Sequence, residues 1–356
     1  MQKKNIAVLF GGVSNEYEVS LRSVCSVLRS IDRAVYQPLP IGITRQGKWF
    51  YYPGAPEHIE ADDWHEQPCC ERAVLSPDGC LIRFTESGPL DVELYAVIPV
   101  LHGKNGEDGS MQGLLQLSGI PFVGSGVTGS ALCMDKAYSN AIFDYYGIPH
   151  CEWTSFTAHE AGRAEELAGA FARKVGYPVI VKPARAGSSV GVSKAADSAA
   201  LSRAICEALR YDDKVVLERC VNGREIECAV LGYDELFVSG VGEILPPEGV
   251  IYTYDEKYSA ASATGLVIPA DLPEATVAQI RTIAARAYKA LGCGGLSRVD
   301  FFLEDGRPLV NEINTLPGFT SISMYPKLME HEGIPVPALI DRLIALALER
   351  TEKQHG

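Results

Sequence analysis

The sequence lacks any apolar run that could cross a membrane, and it is short of positive charge. A membrane-spanning helix needs about 20 consecutive apolar residues, and no stretch of the 356 residues approaches that length. Lysine and arginine total 32 against 45 aspartates and glutamates, which gives a formal net charge of −13. A surface of this sign repels phosphate backbones, so we expect no membrane and no nucleic acid among the partners. A local basic site for a small anion stays compatible with this charge, because net charge averages over the surface.

Patterned cysteines are also missing. The ten cysteines are scattered, with one adjacent pair at Cys69 and Cys70, and none has the spacing of a zinc site. The first apolar run, residues 6–10, stops at Gly11 and Gly12, whereas a secretion signal needs an apolar stretch of about 7–15 residues. We therefore expect a cytoplasmic protein whose thiols stay reduced.

Strand and helix patterns alternate along the chain. Apolar residues make up 47% of the sequence and charged residues 22%, as in globular proteins, and at about 100–200 residues per domain the length predicts two or three domains. Strands are predicted at 6–10, 94–101, 179–182, 215–218, 227–231 and 298–303, and helices at 19–28, 111–117, 130–146, 160–174, 275–291 and 336–349. The alternation predicts an α/β architecture that begins with an open parallel sheet. The polar, small-residue-rich stretch 251–266 predicts a loop or lid.

Acidic and amide side chains recur at spacings of two near the end of the chain. Alternate residues of a strand face the same side, so Glu312 and Asn314 are predicted to point to one spot, which Asp300 on a neighbouring strand can join. Their oxygens are hard ligands that suit Mg²⁺, and phosphates and water would complete the shell. A polar strand end without a metal is the alternative. Arg298 shares a face with Asp300 and is either its salt-bridge partner or a group that holds an oxyanion.

Small and basic residues in the middle of the chain suggest contacts to phosphate. The Gly/Ser loop at 187–191 follows a predicted strand that carries Lys182, and small residues let backbone N–H groups reach phosphate oxygens. Lys136 and Lys182 are candidates to pair with nucleotide phosphates, while Glu218 and Glu225 could hydrogen-bond a ribose or a purine edge. Surface charge is the alternative for each of these residues.

The loop at 11–20 places two glycines after the first strand and acids near a helix start. Glu16 is expected either to stabilise that helix through its dipole or to anchor a substrate ammonium group. Gly11 and Gly12 do not match G-x-G-x-x-G, so a Rossmann dinucleotide site is poorly supported. His102 follows a buried strand at the edge of the sheet where ligands bind, and it stands inside a motif, HGKNGEDG.

Together these motifs resemble the D-alanine–D-alanine ligases of the ATP-grasp superfamily. The resemblance covers nearly the whole chain in family order, through LFGGVSNEYEVSL, PVLHGKNGEDGSMQG, SALCMDK, VKPARAGSSVG, DEKY, SRVDFF and NEINTLPGFTSISMYP. It implies an ATP-grasp fold, α/β and α+β in class, with an N-terminal parallel-sheet (pre-ATP-grasp) domain at 1–125. A central ATP-grasp lobe would span 126–220, and a C-terminal lobe with a lid loop and a Mg²⁺ site would span 221–356.

The resemblance also implies a reaction. The carboxylate of one D-alanine would attack the γ-phosphate of ATP and become an acyl phosphate, and the amine of a second D-alanine would then displace phosphate. The product, D-alanyl-D-alanine, would serve peptidoglycan precursors, and catalysis would consist mostly of positioning and charge stabilisation. The implied partners are D-alanine, ATP and two Mg²⁺ ions, with Mn²⁺ as a substitute, and the implied assembly is a homodimer.

Individual roles follow from the resemblance. Glu16 would bind the first ammonium group and, with Ser188 and Tyr258, would form a hydrogen-bonded triad that fixes the lid. Contacts to phosphate, adenine and ribose would come from Lys136, Lys182, Ser189, Lys257, Glu218 and Glu225. The metal ligands would be Asp300, Glu312 and Asn314, and the oxyanion would be stabilised by Arg298 and the backbone N–H of Gly318. Ser323 and Met324 would line the second substrate's subsite, and His102 would lie near the first.

One departure bears on the second substrate. Ala186 stands where many family members have Glu, and together with HGKNGEDG and PIGITRQGKW this resembles the glycopeptide-resistance branch, which joins D-Ala to D-Ser or D-lactate. Tyr258 and Met324 favour D-Ala instead, because lactate-type ligases lack the lid Tyr and resistance ligases often carry Arg in the Met324 slot. An apolar pocket discriminates only modestly against one hydroxyl. We predict D-Ala as acceptor, with D-Ser as the alternative and D-lactate third.

Overall fold

The chain folds around three β-sheets. A computed structural model describes residues 3–245 and 265–355, and in that part of the chain the sheets have seven, four and five strands. The first contains β1 (Lys4–Gly11), β2 (Tyr36–Ile43), β3 (Trp49–Tyr51), β4 (Glu71–Leu75), β5 (Cys80–Thr85), β6 (Gly88–Glu93) and β7 (Ala96–Pro99), in the order β6-β5-β4-β3-β2-β1-β7. The second contains β8 (Trp153–Thr157), β9 (Val179–Pro183), β10 (Ser193–Ala195) and β11 (Lys214–Arg219), in the order β10-β9-β11-β8. The third contains β12 (Arg224–Gly232), β13 (Leu236–Leu245), β14 (Gly265–Val267), β15 (Gly295–Glu304) and β16 (Arg307–Asn314), in the order β14-β13-β12-β15-β16.

Helices connect and cover these sheets. They are α1 (Tyr17–Ser30), α2 (Pro56–Glu60), α3 (Ser110–Leu117), α4 (Val127–Met134), α5 (Lys136–Tyr146), α6 (Ala161–Val175), α7 (Ser198–Ala208), α8 (Glu274–Ala290), α9 (Met324–His331) and α10 (Val336–His355). None of the helices in the described ranges is both long and apolar enough to cross a membrane. The predicted lid at 251–266 falls almost wholly outside the described residues.

The first sheet is mixed rather than wholly parallel. β1 pairs in parallel with β2 and β7, whereas β3 to β6 extend the sheet as antiparallel strands. Alternate residues of β1 point to opposite faces, so Ile6 and Val8 pack with α1 in one core while Ala7 and Leu9 pack with α3 in another. The loops after β1 and β7 lie at the carboxyl ends of parallel strands, where open sheets of this kind bind ligands.

The second and third sheets are antiparallel. The second sheet has a core of its own, in which its strands pack against α6 and α7. One face of the third sheet packs against α8. Its other face shares a single core with the first sheet, to which α9 and α10 contribute. The first and third sheets are therefore fixed to each other by buried apolar side chains.

The helix predicted at 130–146 is two helices, because the chain turns at Asp135. That residue has an extended backbone, and its side chain accepts hydrogen bonds from the backbone N–H groups of Ala137 and Tyr138 at the start of α5. Lys214 on the second sheet donates to the same carboxylate over 2.7 Å. An aspartate N-cap that satisfies free backbone donors thus starts a second helix, and it places Lys136 at the first position of that helix.

A G-x-G-x-x-G spacing occurs at residues 124–129, directly before and inside α4. Here the small residues serve packing: a β-carbon at Gly129 would collide with the carbonyl oxygen of Gly292, and one at Gly295 would lie 3.0 Å from the backbone nitrogen of Gly124. The motif therefore brings the start of α4 against the third sheet, which explains its small residues without a dinucleotide.

Candidate active site

A cleft opens between loops of the first sheet, the Gly/Ser loop of the second and one face of the third. It holds about 1280 Å³ of empty space, part of it open to solvent. The residues singled out from the sequence that line it are Glu16, Lys136, Ser188, Glu225, Arg298, Asp300, Glu312, Asn314, Gly318, Ser323 and Met324. Lys257 and Tyr258 lie outside the described residues. The structure thus brings most of the residues singled out from the sequence to one cleft.

Strand register places the acids of the cleft side by side. β15 and β16 pair Arg298 with Asn314 and Asp300 with Glu312, while the intervening Val299 and Ile313 are buried in the core behind. Both oxygens of Asp300 are bound by Arg298, through Nε and Nη2 at 2.7 Å each. The amide nitrogen of Asn314 donates to Asp300 Oδ2 over 2.9 Å. The two strands therefore present one ordered row of polar groups to the cleft.

These residues fit a hard divalent cation. Asp300, Glu312 and Asn314 supply carboxylate and amide oxygens on one face of the sheet, which are the ligands that Mg²⁺ prefers. Lys136 Nζ lies 3.5 Å from Glu312 Oε2, so a cationic side chain stands beside the same acids. In the described ranges, no three His, Cys, Asp or Glu side chains converge closely enough to hold an ion. An ion in this place would therefore draw further oxygens from water or from a bound phosphate.

Lys182 and Glu218 form a buried ion pair on the second sheet. Their charged atoms are 2.6 Å apart, and Lys182 also donates to Asn311 Oδ1 over 3.2 Å. Burial lowers the pKa of Lys182, but the charge of Glu218 and its hydrogen bond raise it more, so the pKa lies above its ordinary value. A register shift lies between residues 300 and 301 where β15 pairs with β16, and Asn311 falls at this irregularity, which turns its side chain toward the lysine.

The Gly/Ser loop has an unusual backbone. Ser188 and Ser189 have φ angles of 50° and 60°, a left-handed conformation that is uncommon for residues other than glycine and that recurs at functional sites. Lys136 Nζ donates to the carbonyl oxygen of Ala186 over 2.9 Å. The backbone N–H of Arg185 donates to Asp212 over 2.7 Å, and the guanidinium binds the same carboxylate. The loop is thus fixed at its start, where it approaches the cleft.

Glu16 joins the N-terminal loop to the Gly/Ser loop. The hydroxyl of Ser188 donates to Glu16 Oε1. A β-carbon at Gly103 would collide with Glu16 Oε2, and one at Gly187 would lie 2.6 Å from the same atom. Two glycines from separate loops therefore make room for one carboxylate, which is buried except for 8% of its surface. Of the two predicted partners in the triad, the structure describes Ser188 and shows it bound.

His102 and Glu107, both from HGKNGEDG, bind the loop that follows β16. His102 Nδ1 lies 3.0 Å from the carbonyl oxygen of Leu316 and its Nε2 lies 3.2 Å from Ser23 Oγ. Burial lowers the pKa of His102 to about 4, so the ring is neutral and donates from Nδ1. It lines a small apolar cavity behind the cleft rather than the cleft itself. Glu107 accepts the backbone N–H groups of Gly103 and Leu316 over 2.8 and 3.0 Å, and burial, followed by the charge of Glu16, raises its pKa.

The loop at 318–324 closes the far end of the cleft. The backbone N–H of Thr320 donates to Ser323 Oγ over 3.1 Å, and a β-carbon at Gly318 would lie 2.7 Å from the same oxygen. Met324 is only 3% exposed, and its thioether sulfur leaves no room for a side chain at Gly242. The wall formed by Met324 is therefore apolar and closely packed, beside the hydroxyl of Ser323.

Among the polar residues of the cleft that sequence reasoning missed are two acids and an amide, Glu107, Glu227 and Asn311. Glu107 stood inside a motif that was already singled out, without a role of its own. Glu227 follows Glu225 by two positions on β12, so the alternation of side chains along a strand was the signal that could have found it. Asn311 turns toward the cleft at the register shift, which no local pattern predicts.

Comparison with known proteins extends over the whole chain. The family model described as "D-ala D-ala ligase N-terminus" matches residues 5–125 and the one described as "D-ala D-ala ligase C-terminus" matches residues 142–345. A D-alanine–D-alanine ligase from Caldicellulosiruptor bescii is 46% identical, across 100% of this chain and 98% of the relative. One from Sodalis glossinidius is 45% identical, across 97% of this chain and 95% of the relative.

Solved structures show the same similarity. The VanG D-Ala:D-Ser ligase from Enterococcus faecalis superposes with a TM-score of 0.88 at 40% identity, covering 97% of this chain and 100% of that protein. The D-alanine–D-alanine ligase from Coxiella burnetii superposes with a TM-score of 0.87 at 34% identity, covering 100% of this chain and 97% of that protein.

Proposed function

The chain belongs to the D-alanine–D-alanine ligase family, and we propose that its cleft joins two molecules of D-alanine at the expense of ATP. The family is built on the ATP-grasp fold, and the reaction is an ATP-dependent ligation that forms a carbon–nitrogen bond. A carboxylate cannot react directly with an amine, because oxide is a poor leaving group. Phosphorylation by ATP gives D-alanyl phosphate, from which the second amine displaces phosphate. D-Alanyl-D-alanine is then used for peptidoglycan precursors.

The observation that supports this function best is the row of polar groups on β15 and β16. Asp300, Glu312 and Asn314 face the cleft beside Arg298, and a Lys136 ammonium stands 3.5 Å from Glu312. Acids that can hold a cation thus meet basic groups that can hold phosphate and a developing oxyanion. Phosphoryl and acyl transfer need this combination of charges.

We propose these roles for the chain's own residues. Glu16 binds the ammonium group of the first D-alanine. Ser188 orients the carboxylate of Glu16, a role that the hydrogen bond between the two residues supports. Arg298 and the backbone N–H of Gly318 stabilise the oxyanion that forms when the second amine attacks. Ser323 and Met324 line the second subsite, and His102 supports the first from behind. The lid residue proposed to complete the triad is Tyr258.

Nucleotide contacts are proposed for Lys136, Lys182, Ser189, Glu218, Glu225 and Lys257. The ion pair of Lys182 and Glu218 keeps a cation and an acceptor on the two inner strands of the second sheet. Asp300, Glu312 and Asn314 would hold two Mg²⁺ ions, for which Mn²⁺ can substitute. When bound, the metal neutralises phosphate charge and so eases phosphoryl transfer.

The acceptor is proposed to be D-alanine. Met324 is packed and apolar, which suits a methyl group better than a hydroxyl, although such a pocket rejects an added hydroxyl by only about 100-fold. The similarity to a D-Ala:D-Ser ligase makes D-serine the competitor to include in the test.

The proposed function is tested by phosphate release and product analysis. The protein with ATP, Mg²⁺ and D-alanine is expected to release phosphate and to form D-alanyl-D-alanine, detected by mass spectrometry, while Arg298→Met does neither at a comparable rate. Absence of release above this variant would contradict the ligase function. With equimolar D-alanine and D-serine at neutral pH, mainly D-alanyl-D-alanine is expected, and a dominant D-alanyl-D-serine product would contradict the Met324 argument.

We further propose three domains, at 1–125, 126–220 and 221–356, in a cytoplasmic homodimer. Each proposed domain contains one of the three sheets. The net charge of −13 disfavours nucleic acid as a partner.

A further inference from the structure

Asp300 faces two demands in the proposed reaction. Both of its oxygens bind Arg298 at 2.7 Å, yet the proposed metal site needs the same carboxylate. A divalent cation and a guanidinium repel each other when they share one acid. Arg298 would lose its hold on Asp300 as a cation gained it, unless another group kept the guanidinium in place.

Glu227 stands on the other side of that guanidinium. β12 pairs with β15 so that Glu227 lies opposite Asp300, and the neighbouring residues Ile226 and Cys228 are fully buried in the core behind. The strand therefore fixes Glu227 on the cleft face. Glu227 Oε2 lies 3.0 Å from Arg298 Nε, and the same nitrogen lies 2.7 Å from Asp300 Oδ1. Arg298 is thus held between two carboxylates on neighbouring strands.

The burial of the Glu227 carboxylate costs desolvation free energy, so its contact with Arg298 calls for a functional explanation. Its side chain is 7% exposed and that of Arg298 is 19% exposed. Burying a carboxylate costs free energy that an ion pair with good geometry only partly returns. A single carboxylate would suffice to neutralise Arg298, and Asp300 already binds it through two nitrogens. The second carboxylate adds an anchor that does not depend on Asp300.

We propose that Glu227 is a positioning residue, which holds the Arg298 guanidinium at the oxyanion when Asp300 turns its oxygens to the metal. The inference rests on the proposed function and adds to it a residue that acts through Arg298 rather than on substrate. Two consequences follow. Loss of the Glu227 charge weakens stabilisation of the oxyanion, and it also makes Arg298 compete with the metal for Asp300.

A matched ion pair in the same sheet supplies the control. Arg224 binds both oxygens of Glu243 at 2.6 Å across β12 and β13, and the side chain of Glu243 is nearly as buried as that of Glu227, at 10% against 7% exposure. Glu243 is not among the residues that line the described cleft. Glu243→Gln therefore removes a comparable charge from the same sheet without touching Arg298.

The test compares Glu227→Gln with Glu243→Gln in the full-length protein. For Glu227→Gln we expect kcat to fall about 30-fold, because the variant loses a buried ion-pair contact to Arg298, with the KM for D-alanine within about threefold of wild type. Binding of Mn²⁺ in the presence of ADP, followed by electron paramagnetic resonance, should weaken about tenfold. Both variants should lower the unfolding temperature by similar amounts, since each removes one carboxylate from a buried ion pair. Glu243→Gln should leave kcat and the Mn²⁺ affinity within about twofold of wild type.

Two results would overturn the proposal. In the first, the Mn²⁺ affinity and the kcat of Glu227→Gln match those of Glu243→Gln. In the second, Glu227→Gln lowers the unfolding temperature and changes nothing else. Glu227→Asp keeps the charge and guards against misfolding of the first variant. It should recover at least half of the lost Mn²⁺ affinity, and failure to exceed the Gln variant would also contradict the role. The metal-binding arm does not use turnover, so a wild-type protein that binds Mn²⁺ but makes no dipeptide would count against the proposed function alone.

Discussion

The two walls of the cleft are built in different ways. One wall is formed by the third sheet and is called the strand wall: Arg298, Asp300, Glu312 and Asn314 alternate there with buried residues on two paired strands. The opposite wall is called the loop wall: Glu16 and its partner Ser188 come from loops that are 172 positions apart in the sequence. Strand register alone fixes the first group. Hydrogen bonds between loops, and glycines that leave room for a carboxylate, fix the second.

This difference separates two kinds of sensitivity. On the strand wall, exchanging a side chain changes the local charge while the backbone stays held by its neighbours in the sheet. On the loop wall, each side chain also holds a second loop in place, as Glu107 does by accepting a backbone N–H from Gly103 and another from Leu316. Substitutions on the strand wall should therefore change the chemical step, and substitutions on the loop wall should change binding or stability.

The largest effect is expected from the strand wall. Asp300→Asn removes a charge from the proposed metal site and from Arg298, and we expect kcat to fall about a thousandfold, or about 4 kcal/mol. Steady-state kinetics with saturating ATP and Mg²⁺ would measure it. The matched control is Asp305→Asn, in the exposed turn between β15 and β16, which should retain wild-type kcat. A loss at Asp300 that appeared only in the KM for D-alanine would break the distinction between the walls.

A smaller effect is expected on the loop wall. Glu16→Gln keeps the shape of the side chain and removes the charge, so the KM for the first D-alanine should rise about 30-fold through the loss of the proposed ion pair with the ammonium group. Initial rates at varied D-alanine would show it. Ser14→Ala removes only the hydroxyl that accepts the backbone N–H of Glu16 at 3.1 Å and should change KM less than threefold. If Glu16→Gln lowered kcat and left KM unchanged, Glu16 would affect the chemical step rather than substrate binding, and the distinction between the two walls would be wrong.

The smallest effect concerns His102 and appears in stability. Burial lowers its pKa to about 4, below the value of about 6.5 in an unfolded chain, so the unfolded state binds the proton more tightly. The stabilising contribution of the neutral ring is complete above pH 6.5 and falls as the pH drops toward 4, by up to about 3 kcal/mol. We expect His102→Gln to be less stable by about 1.5 kcal/mol at pH 7, and this deficit should shrink at pH 5.

Urea unfolding at the two pH values measures that difference, with a replacement at exposed His159 as the control that should show none. A deficit of His102→Gln that stayed constant or grew between pH 7 and pH 5 would contradict a neutral, buried ring. It would also remove the reason to place His102 among the loop contacts that affect stability.

The sequence predicted the strand wall well, because a spacing of two in a strand determines which side chains share a face. In this way the sequence predicted that Asp300, Glu312 and Asn314 point to one spot, and all three line the cleft. Glu227 was missed. Its spacing of two from Glu225 could have placed it on the cleft face, but its place beside Arg298 depends on β12 pairing with β15, and pairing between distant strands leaves no local pattern. The loop wall was found through motifs alone, and the structure adds contacts that no spacing encodes.

Two elements show the limits for the fold. The helix predicted at 130–146 divides at Asp135, where a side chain that caps backbone donors outweighs the helical pattern on both sides. Strands β3 to β6 were not predicted, because they are short and partly exposed. Such strands take much of their stability from neighbours in the sheet rather than from their own residues.

The core shared by the first and third sheets has a consequence for how the chain is made on the ribosome. Residues near the start, such as Val8 and Leu21, pack in the same core as Leu343 and Ala347 near the end. That core is complete only after almost the whole chain has emerged, and until then the apolar face of the first sheet stays exposed. The strands of the second sheet pair with one another, and the core that they form with α6 and α7 lies within residues 153–219, so that core can close during synthesis. Contacts between distant segments also form more slowly, and the early β-strands are therefore the part of this protein most in need of protection while it is being made.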